Sequence, residues 1–247
     1  MTNGAFGTQD NVYPLEMQTI FAPNLSNAKL SKARVKHYAR KTHFYTYAAI
    51  KRVLDFGIAL GGITVSSPVL VVISIAIKLD DPTGPVLFKQ PRTGHNGKVF
   101  NIYKFRSMVA QNDVHDHSTA DQHTRIGTLL RRTSLDELPQ LFNILRGQMS
   151  IIGPRPWITD YYDNMTDTQR IRVKVRPGIT GLAQAKGRNN VSIFDKINYD
   201  LEYVRDYSLY EDLKVIALTI RTVISGAGAD AGKGTIQKEL EDLKAQH

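Results

Sequence analysis

The 247-residue chain carries 32 Lys and Arg against 23 Asp and Glu, a formal net charge of +9, with ordinary apolar content and no cysteine. These values exclude a disulfide scaffold, thiolate chemistry and a chain too polar to fold, and they allow one compact domain with an appendage. The charge favours anionic partners: nucleic acid, phosphorylated substrates or the cytoplasmic leaflet of a membrane.

In chain order, residues 1–47 begin polar and lack the basic and apolar pattern of a secretory signal, so no cleavage is expected. From Lys29 to Arg52 eight basic residues and no acidic one lead into the only long apolar stretch, a juxtamembrane pattern. Val53 to Ile77 is interrupted by one charge, Asp55, and as a straight helix it is about 37 Å long, enough to cross a hydrocarbon core. Lys51 and Arg52 before it and Lys78 after it give both ends a cytoplasmic preference. Pro68 removes the amide that would bond to the Thr64 carbonyl, so a sharp kink is expected, with Ser66 and Ser67 re-satisfying the freed groups. Spanning, re-entrant and buried soluble helices all remain open at this point.

Val86–Gln90 and Val99–Phe105 read as a hairpin around Gly94–Gly97. Residues 111–124 hold His115, His117, His123, Asp113, Asp116 and Asp121, and read as a solvated loop in preference to a metal site. Helices are predicted over Ile126–Arg132 and Leu138–Leu145, the second with Leu138, Leu141, Phe142 and Leu145 on one face. Thr166 with Gln169 marks a further helix start, closed by Pro177-Gly178. Helices follow over 195–206 and 211–224; the second carries a stripe of Leu213, Ile216, Ala217, Ile220, Val223 and Ile224 that suits a core or a membrane interface. Residues 225–234 read as a linker, and the tail with Ile236, Leu240 and Leu243 as too short to stand alone.

Three segments can carry chemistry. Thr133-Ser134-Leu135-Asp136-Glu137-Leu138 puts two carboxylates in the first turn of an amphipathic helix, beside Arg131 and Arg132. A Ser134-x-x-Glu137 capping box accounts for the acids structurally; free amides, guanidinium groups and a carboxylate-held divalent cation account for them as a phosphate site. Gly153-Pro154-Arg155-Pro156 holds Arg155 on a stiff turn suited to an anion. Lys174-Val175-Arg176-Pro177-Gly178-Ile179-Thr180-Gly181, followed by Gly187-Arg188-Asn189, sets basic groups beside glycines that permit close backbone approach.

Ser67-Pro68, Tyr103-Lys104-Phe105-Arg106, Ser134-Leu135-Asp136-Glu137-Leu138, Gly153-Pro154-Arg155-Pro156 and Arg176-Pro177-Gly178-Ile179-Thr180-Gly181, in this order, resemble the bacterial sugar transferase family, the monotopic polyprenyl-phosphate phosphoglycosyl transferases, over about residues 48–224. The resemblance implies an α+β fold: a re-entrant membrane helix broken at Ser67 and Pro68, then a small, mostly helical cytoplasmic catalytic domain with a short β-hairpin and interfacial amphipathic helices. It divides the chain into a basic extension (1–47), the membrane helix (48–79), the catalytic domain (80–224) and a linker with a short tail (225–247). It implies transfer of a sugar-1-phosphate from a UDP-sugar to polyprenyl (undecaprenyl) phosphate with release of UMP, at the cytoplasmic face of the inner membrane, in exopolysaccharide, O-antigen, capsule or glycoprotein glycan assembly. Asp136 is the implied nucleophile, Asp136 and Glu137 the implied Mg2+ ligands, and Lys104, Arg131, Arg155, Arg176 and Arg188 the implied substrate contacts. Membrane lipid is the expected surrounding and a homodimer is compatible, whereas nucleic acid is not an expected partner. Leu182 and Lys186 depart from the tryptophan and asparagine that some members carry. The competing reading is a membrane-anchored basic module that binds nucleic acid or anionic lipid without catalysis.

Overall fold

The computed structural model describes residues 27–109, 123–187, 191–224 and 235–246, and it divides into two units, residues 1–50 and 51–247. The described part of the first unit is helical; Phe44 and Tyr45 there meet edge to face, with ring centroids 5.6 Å apart. That helical run, α1 (Asn27–Asp80), continues into the second unit, and its Phe44–Asp80 portion is long and apolar enough to cross a membrane.

Helical pairing persists through Pro68, and the proline's cost is met locally. The Ser67 hydroxyl donates to the Thr64 carbonyl (2.8 Å), the group that Pro68 leaves without an amide, while Ser66 donates to Gly62 (2.6 Å). Within the second unit, α1 buries one stripe. Ala59 packs with Phe100, Ile102, Leu141, Ile144 and Met149; Ile73 and Ile77 pack with Phe105 and Leu130. Its other side leaves Val53, Phe56, Ile58, Val65, Val72, Ile75 and Leu79 exposed. A buried soluble helix would hide both sides, so that reading of the segment fails here.

Charges fasten this helix to the rest of the unit. Lys51 pairs with Asp212; Arg52 donates to the Ile144 and Leu145 carbonyls; Asp55 accepts the Ile151 amide at 3.0 Å; and Asp80 accepts the Ile126 amide at 3.0 Å.

The expected hairpin forms: β1 (Leu87–Thr93) and β2 (Val99–Phe105) are antiparallel around a one-turn 3-10 helix, His95–Gly97. Helices α2 (Arg125–Thr133) and α3 (Gln140–Leu145) match the two predicted ones. In α3, however, Phe142 is 41% exposed whereas Ile144 and Asn143 are fully buried, so its inner face is turned from the expected stripe. A second, parallel pair joins β3 (Ser150–Ile152) to β4 (Gly178–Thr180), with Ser150 opposite Gly178.

Thr166 and Gln169 make the expected capping box at α5 (Asp167–Arg170), which follows α4 (Thr159–Asp163). A 3-10 turn, Ile171–Lys174, ends that helical stretch, and Gly178 opens β4 instead of closing a helix. The remaining helices are α6 (Leu182–Gly187), α7 (Ile193–Arg205), α8 (Leu209–Ile224) and α9 (Thr235–Lys244). On α8, Leu213, Ile216 and Ile220 face outward while Val215, Glu211 and Asp212 are buried, which rules out the core arrangement of its stripe. The tail does not stand alone: Leu243 in α9 is fully buried against a cluster of Trp157, Tyr161, Met165, Ile193 and Ile197, and tertiary packing supplies what ten residues lack by themselves.

Candidate active site

The acidic pair is placed by a sharp reversal. Thr124 caps α2 by accepting the Gly127 amide, and the helix ends at Ser134, which adopts a left-handed conformation (φ 58°) as its amide donates to the Leu130 and Arg131 carbonyls. Such a conformation costs a non-glycine residue about 1 kcal/mol and is concentrated at functional sites. It sends the chain into a 3-10 turn, Leu135–Glu137, directly ahead of Pro139 and α3. The Ser134 hydroxyl caps nothing, so the Ser134-x-x-Glu137 capping box does not form, and the acids lie on this turn and not in an α-helical first turn. Glu137 is committed elsewhere.

Its Oε1 accepts from Lys104 Nζ at 2.6 Å and from Arg155 Nη2 at 3.2 Å, and the same Lys104 ammonium lies 3.8 Å from Asp136 Oδ2. Lys104 comes from β2, which is held to α3 by a buried amide: Asn143 Oδ1 accepts the Tyr103 amide (3.0 Å) while its Nδ2 donates to the Asn101 carbonyl (2.8 Å). The strand that bears Lys104 is thus tied to the helix that follows the acidic turn. Burial pushes the Asp136 carboxyl above its ordinary range, with Glu137 adding to the rise and Lys104, Arg131 and Arg155 opposing it. At Glu137 burial also acts upward, but Arg155 and Lys104 outweigh it and hold the group at about 2. Two neighbouring carboxylates therefore differ: Glu137 is locked as an anion between cations, and Asp136 is the more basic oxygen donor.

Lys104, Asp136, Glu137 and Arg155 are brought together as the motifs suggested. Arg131 acts on Asp136 by charge, its guanidinium standing 3.2 Å from His123 Nε2. Arg176 donates through Nε to the Gly147 carbonyl at 3.0 Å. Arg188 lies outside the described residues, as do residues 110–122 with the rest of the His and Asp loop. Ser67 and Pro68 belong to α1, described above. Leu182 is buried, and Lys186 pairs with Glu202 at 2.9 Å and stands over the Tyr199 ring.

Three contributors escaped the motif reading. Arg92 on β1 is pushed down to about 10 by burial, with Arg155 adding to the effect and Tyr161 and Glu137 opposing it; its Nε finds no partner among the described residues. Arg172 and Asn143 are the others; for Asn143 an amide inside the apolar run Leu141–Leu145 was the available signal, whereas Arg172 stands among alternating basic residues that give none. The glycines of Gly178-Ile179-Thr180-Gly181 turn out to serve backbone contact: a Cβ on Gly178 or Gly181 would stand 2.1 or 2.2 Å from Gly153 backbone atoms.

A divalent cation fits the carboxyl groups present. Among the described residues no hydrogen bond engages Asp136 or Glu137 Oε2, which leaves oxygens free on both acids. Mg2+ is usually taken by one or two carboxylates together with substrate phosphates, and the two neighbouring acids offer such a pair.

A family model described as bacterial sugar transferase matches residues 46–226. The galactosyl transferase CpsE of Streptococcus agalactiae is 38% identical over 208 residues, covering 78% of this chain and 46% of that protein. The uncharacterized sugar transferase EpsL of Bacillus subtilis is 41% identical, covering 72% of this chain and 89% of its own length. The UDP-glucose:undecaprenyl-phosphate glucose-1-phosphate transferase of Escherichia coli is 43% identical over 69% of this chain and 39% of itself. The chain thus spans less than half of CpsE and of the Escherichia coli protein, and most of EpsL. With the model match running through every motif above, from Ser67-Pro68 to Gly181, the chain belongs to the bacterial sugar transferase family.

Proposed function

We propose that this chain transfers a sugar-1-phosphate from a UDP-sugar to polyprenyl phosphate, with Asp136 as nucleophile. The observation that carries the reading is the convergence of Lys104 and Arg155 on Glu137 while Asp136, 3.8 Å from the same ammonium, keeps its carboxylate free of hydrogen bonds among the described residues. Two acids and two cations nearly cancel, so the site can admit an anionic diphosphate without strong repulsion. An Asp136 oxygen attacks the sugar-proximal phosphorus; an O–P bond forms, the bond from that phosphorus to the bridging oxygen breaks, and its electron pair leaves on UMP. An oxygen of polyprenyl phosphate then attacks the same phosphorus and returns the carboxylate. Lys104 and Arg155 hold Glu137 and face the phosphate charge. Asp136 and Glu137 are the residues that would hold Mg2+, which would supply further charge neutralisation when bound.

The names of relatives support this substrate pair: the Escherichia coli and Caulobacter vibrioides proteins are UDP-glucose:undecaprenyl-phosphate glucose-1-phosphate transferases. The direct test incubates detergent-solubilised protein with UDP-sugars, magnesium and polyprenyl phosphate. UMP release that depends on the lipid for continued turnover is expected; salt-sensitive nucleic-acid binding without turnover would replace the enzyme with the basic module.

We further infer a re-entrant α1, with the catalytic unit on the cytoplasmic face of the inner membrane. Contacts on both sides of Ser67-Pro68 support it. Lys51, Arg52, Asp55 and Ala59 on one arm, and Ile73, Ile77 and Asp80 on the other, pack on or bond to the same unit. A spanning helix would carry one arm away from those partners across about 30 Å of hydrocarbon. Single cysteines at Asn11 and Ala245, clean because the chain has none, should both resist an impermeant thiol reagent on the periplasmic side. Labelling at one position alone would establish a spanning helix.

A further inference from the structure

Arg155 meets Glu137 from an exposed position: 44% of its side chain is open to solvent, and one hydrogen bond at 3.2 Å ties it to the site. Its aim therefore depends on the backbone that bears it. That backbone is held from three directions. The Gly178 amide donates to the Pro154 carbonyl at 3.0 Å, the Thr93 amide donates to the Trp157 carbonyl at 2.9 Å, and Arg172 Nη2 donates to the Arg155 carbonyl itself at 2.7 Å.

Arg172 is in turn almost wholly enclosed. Its Nε and Nη2 reach Asp200 Oδ2 at 2.9 and 2.6 Å, and its guanidinium lies 3.9 Å from the Trp157 ring centroid. The two hydrogens on Nη2 are thus divided between the α7 carboxylate and the backbone of Arg155. Both side chains are at most 2% exposed, and Asp200 Oδ1 has no hydrogen-bond partner among the described residues. A buried pair with a bare carboxylate oxygen is a poor source of stability, since packed apolar residues of similar volume commonly hold a fold as well. What apolar residues cannot supply is a donor directed at the Arg155 carbonyl. A lysine cannot serve the same two acceptors with a fixed planar fork.

We propose that Arg172 and Asp200, backed by Trp157, are positioning residues that set Arg155 for its grip on the diphosphate of the nucleotide substrate. This rests on the reading of Arg155 as a phosphate contact. The pair acts on binding only through Arg155, so its loss and the loss of Arg155 must not add.

The test titrates UDP with magnesium into the detergent-solubilised full chain and compares wild type, Arg155→Ala, the volume-conserving pair Arg172→Met/Asp200→Leu, and the triple variant. Arg155→Ala and the pair variant should each weaken UDP by about tenfold, and the triple variant no more than either. A triple variant weaker by about a hundredfold would show that the pair acts independently of Arg155, and wild-type affinity in the pair variant would remove it from the site; both overturn the inference alone. Wild-type affinity in Arg155→Ala would instead sink the phosphate role of Arg155 and the inference with it. Should the pair variant fail to fold, Arg172→Lys retains a cation against Asp200 without the fork: a tenfold loss in the folded protein supports positioning, and full affinity overturns it.

Discussion

Given a UDP-sugar and magnesium but no polyprenyl phosphate, wild-type protein should release at most about one UMP per active site and retain labelled sugar phosphate on the polypeptide, whereas folded Asp136→Asn should do neither. The substitution keeps the shape of a side chain that is nearly buried and makes no hydrogen bond among the described residues, so it removes the attacking oxygen with little harm to the fold. Turnover should fall by about three orders of magnitude or more, as expected when a nucleophile is lost. The acid limb of the activity profile follows from the same geometry. Asp136 attacks only when ionised, and burial raises its pKa from the ordinary aspartate value in the metal-free site, so burial moves the limb upward and a bound cation opposes it. Lys104 acts downward on Asp136, so Lys104→Gln should move the limb to higher pH as well as lowering the rate. UMP release by wild type only when polyprenyl phosphate is present, or labelled sugar phosphate trapped on Asp136→Asn, would replace the covalent route with a one-step ternary reaction in which Asp136 serves the metal.

Gly178→Ala should be among the most damaging small changes in the scaffold. Its Cβ would stand 2.1 Å from the Gly153 nitrogen, 2.5 Å from the Thr180 oxygen and 2.7 Å from the Ile152 carbonyl carbon, all backbone atoms that cannot rotate away. Relief requires β3 and β4 to separate, and with them the Gly178 amide that fixes the Pro154 carbonyl next to Arg155. Overpacking of this kind costs about 2 to 4 kcal/mol, a fall of about 5 to 10 °C in melting temperature for a chain of this size. Activity should decline further than stability because Arg155 moves. Gly61→Ala is the control: no neighbouring atom lies within 4 Å of its Cβ, and alanine favours the helix. Equal melting temperatures for Gly178→Ala and wild type would contradict the close strand contact.

Some of this architecture follows from local patterns. The hairpin has β-branched and aromatic runs around a glycine turn, and α2, α7 and α8 have lengths over which helical periodicity is unambiguous. The parallel β3 and β4 strands have three residues each, too few to display alternation, and their pairing depends on glycines that read equally well as turns or a phosphate loop. At Ser134-x-x-Glu137 the local pattern pointed to a cap, but Lys104, 33 residues earlier in the chain, and Arg155, 18 later, claim the Glu137 carboxylate; tertiary charge outweighed a local bond. Asp136, Glu137, Lys104 and Arg155 were within reach of motif reading because each stands in a compact signature. Arg92 and Arg172 were not, since their importance depends on neighbours that only the fold supplies.

The packing of α1 bears on how such a protein can be simplified. Ala59, Ile73 and Ile77 are not accessories to a finished domain: they cover Phe100, Ile102, Phe105, Leu130, Leu141 and Ile144. Asp55 and Asp80 engage the Ile151 and Ile126 amides, at the roots of the segments leading to Arg155 and to the acidic turn. Trimming the apolar segment to make a water-soluble fragment would strip the hydrophobic interior of one wall and leave two backbone amides without acceptors. The segment long and apolar enough to cross a membrane is also the segment that completes the core, so the chain cannot be divided into an apolar appendage and a separately folded domain.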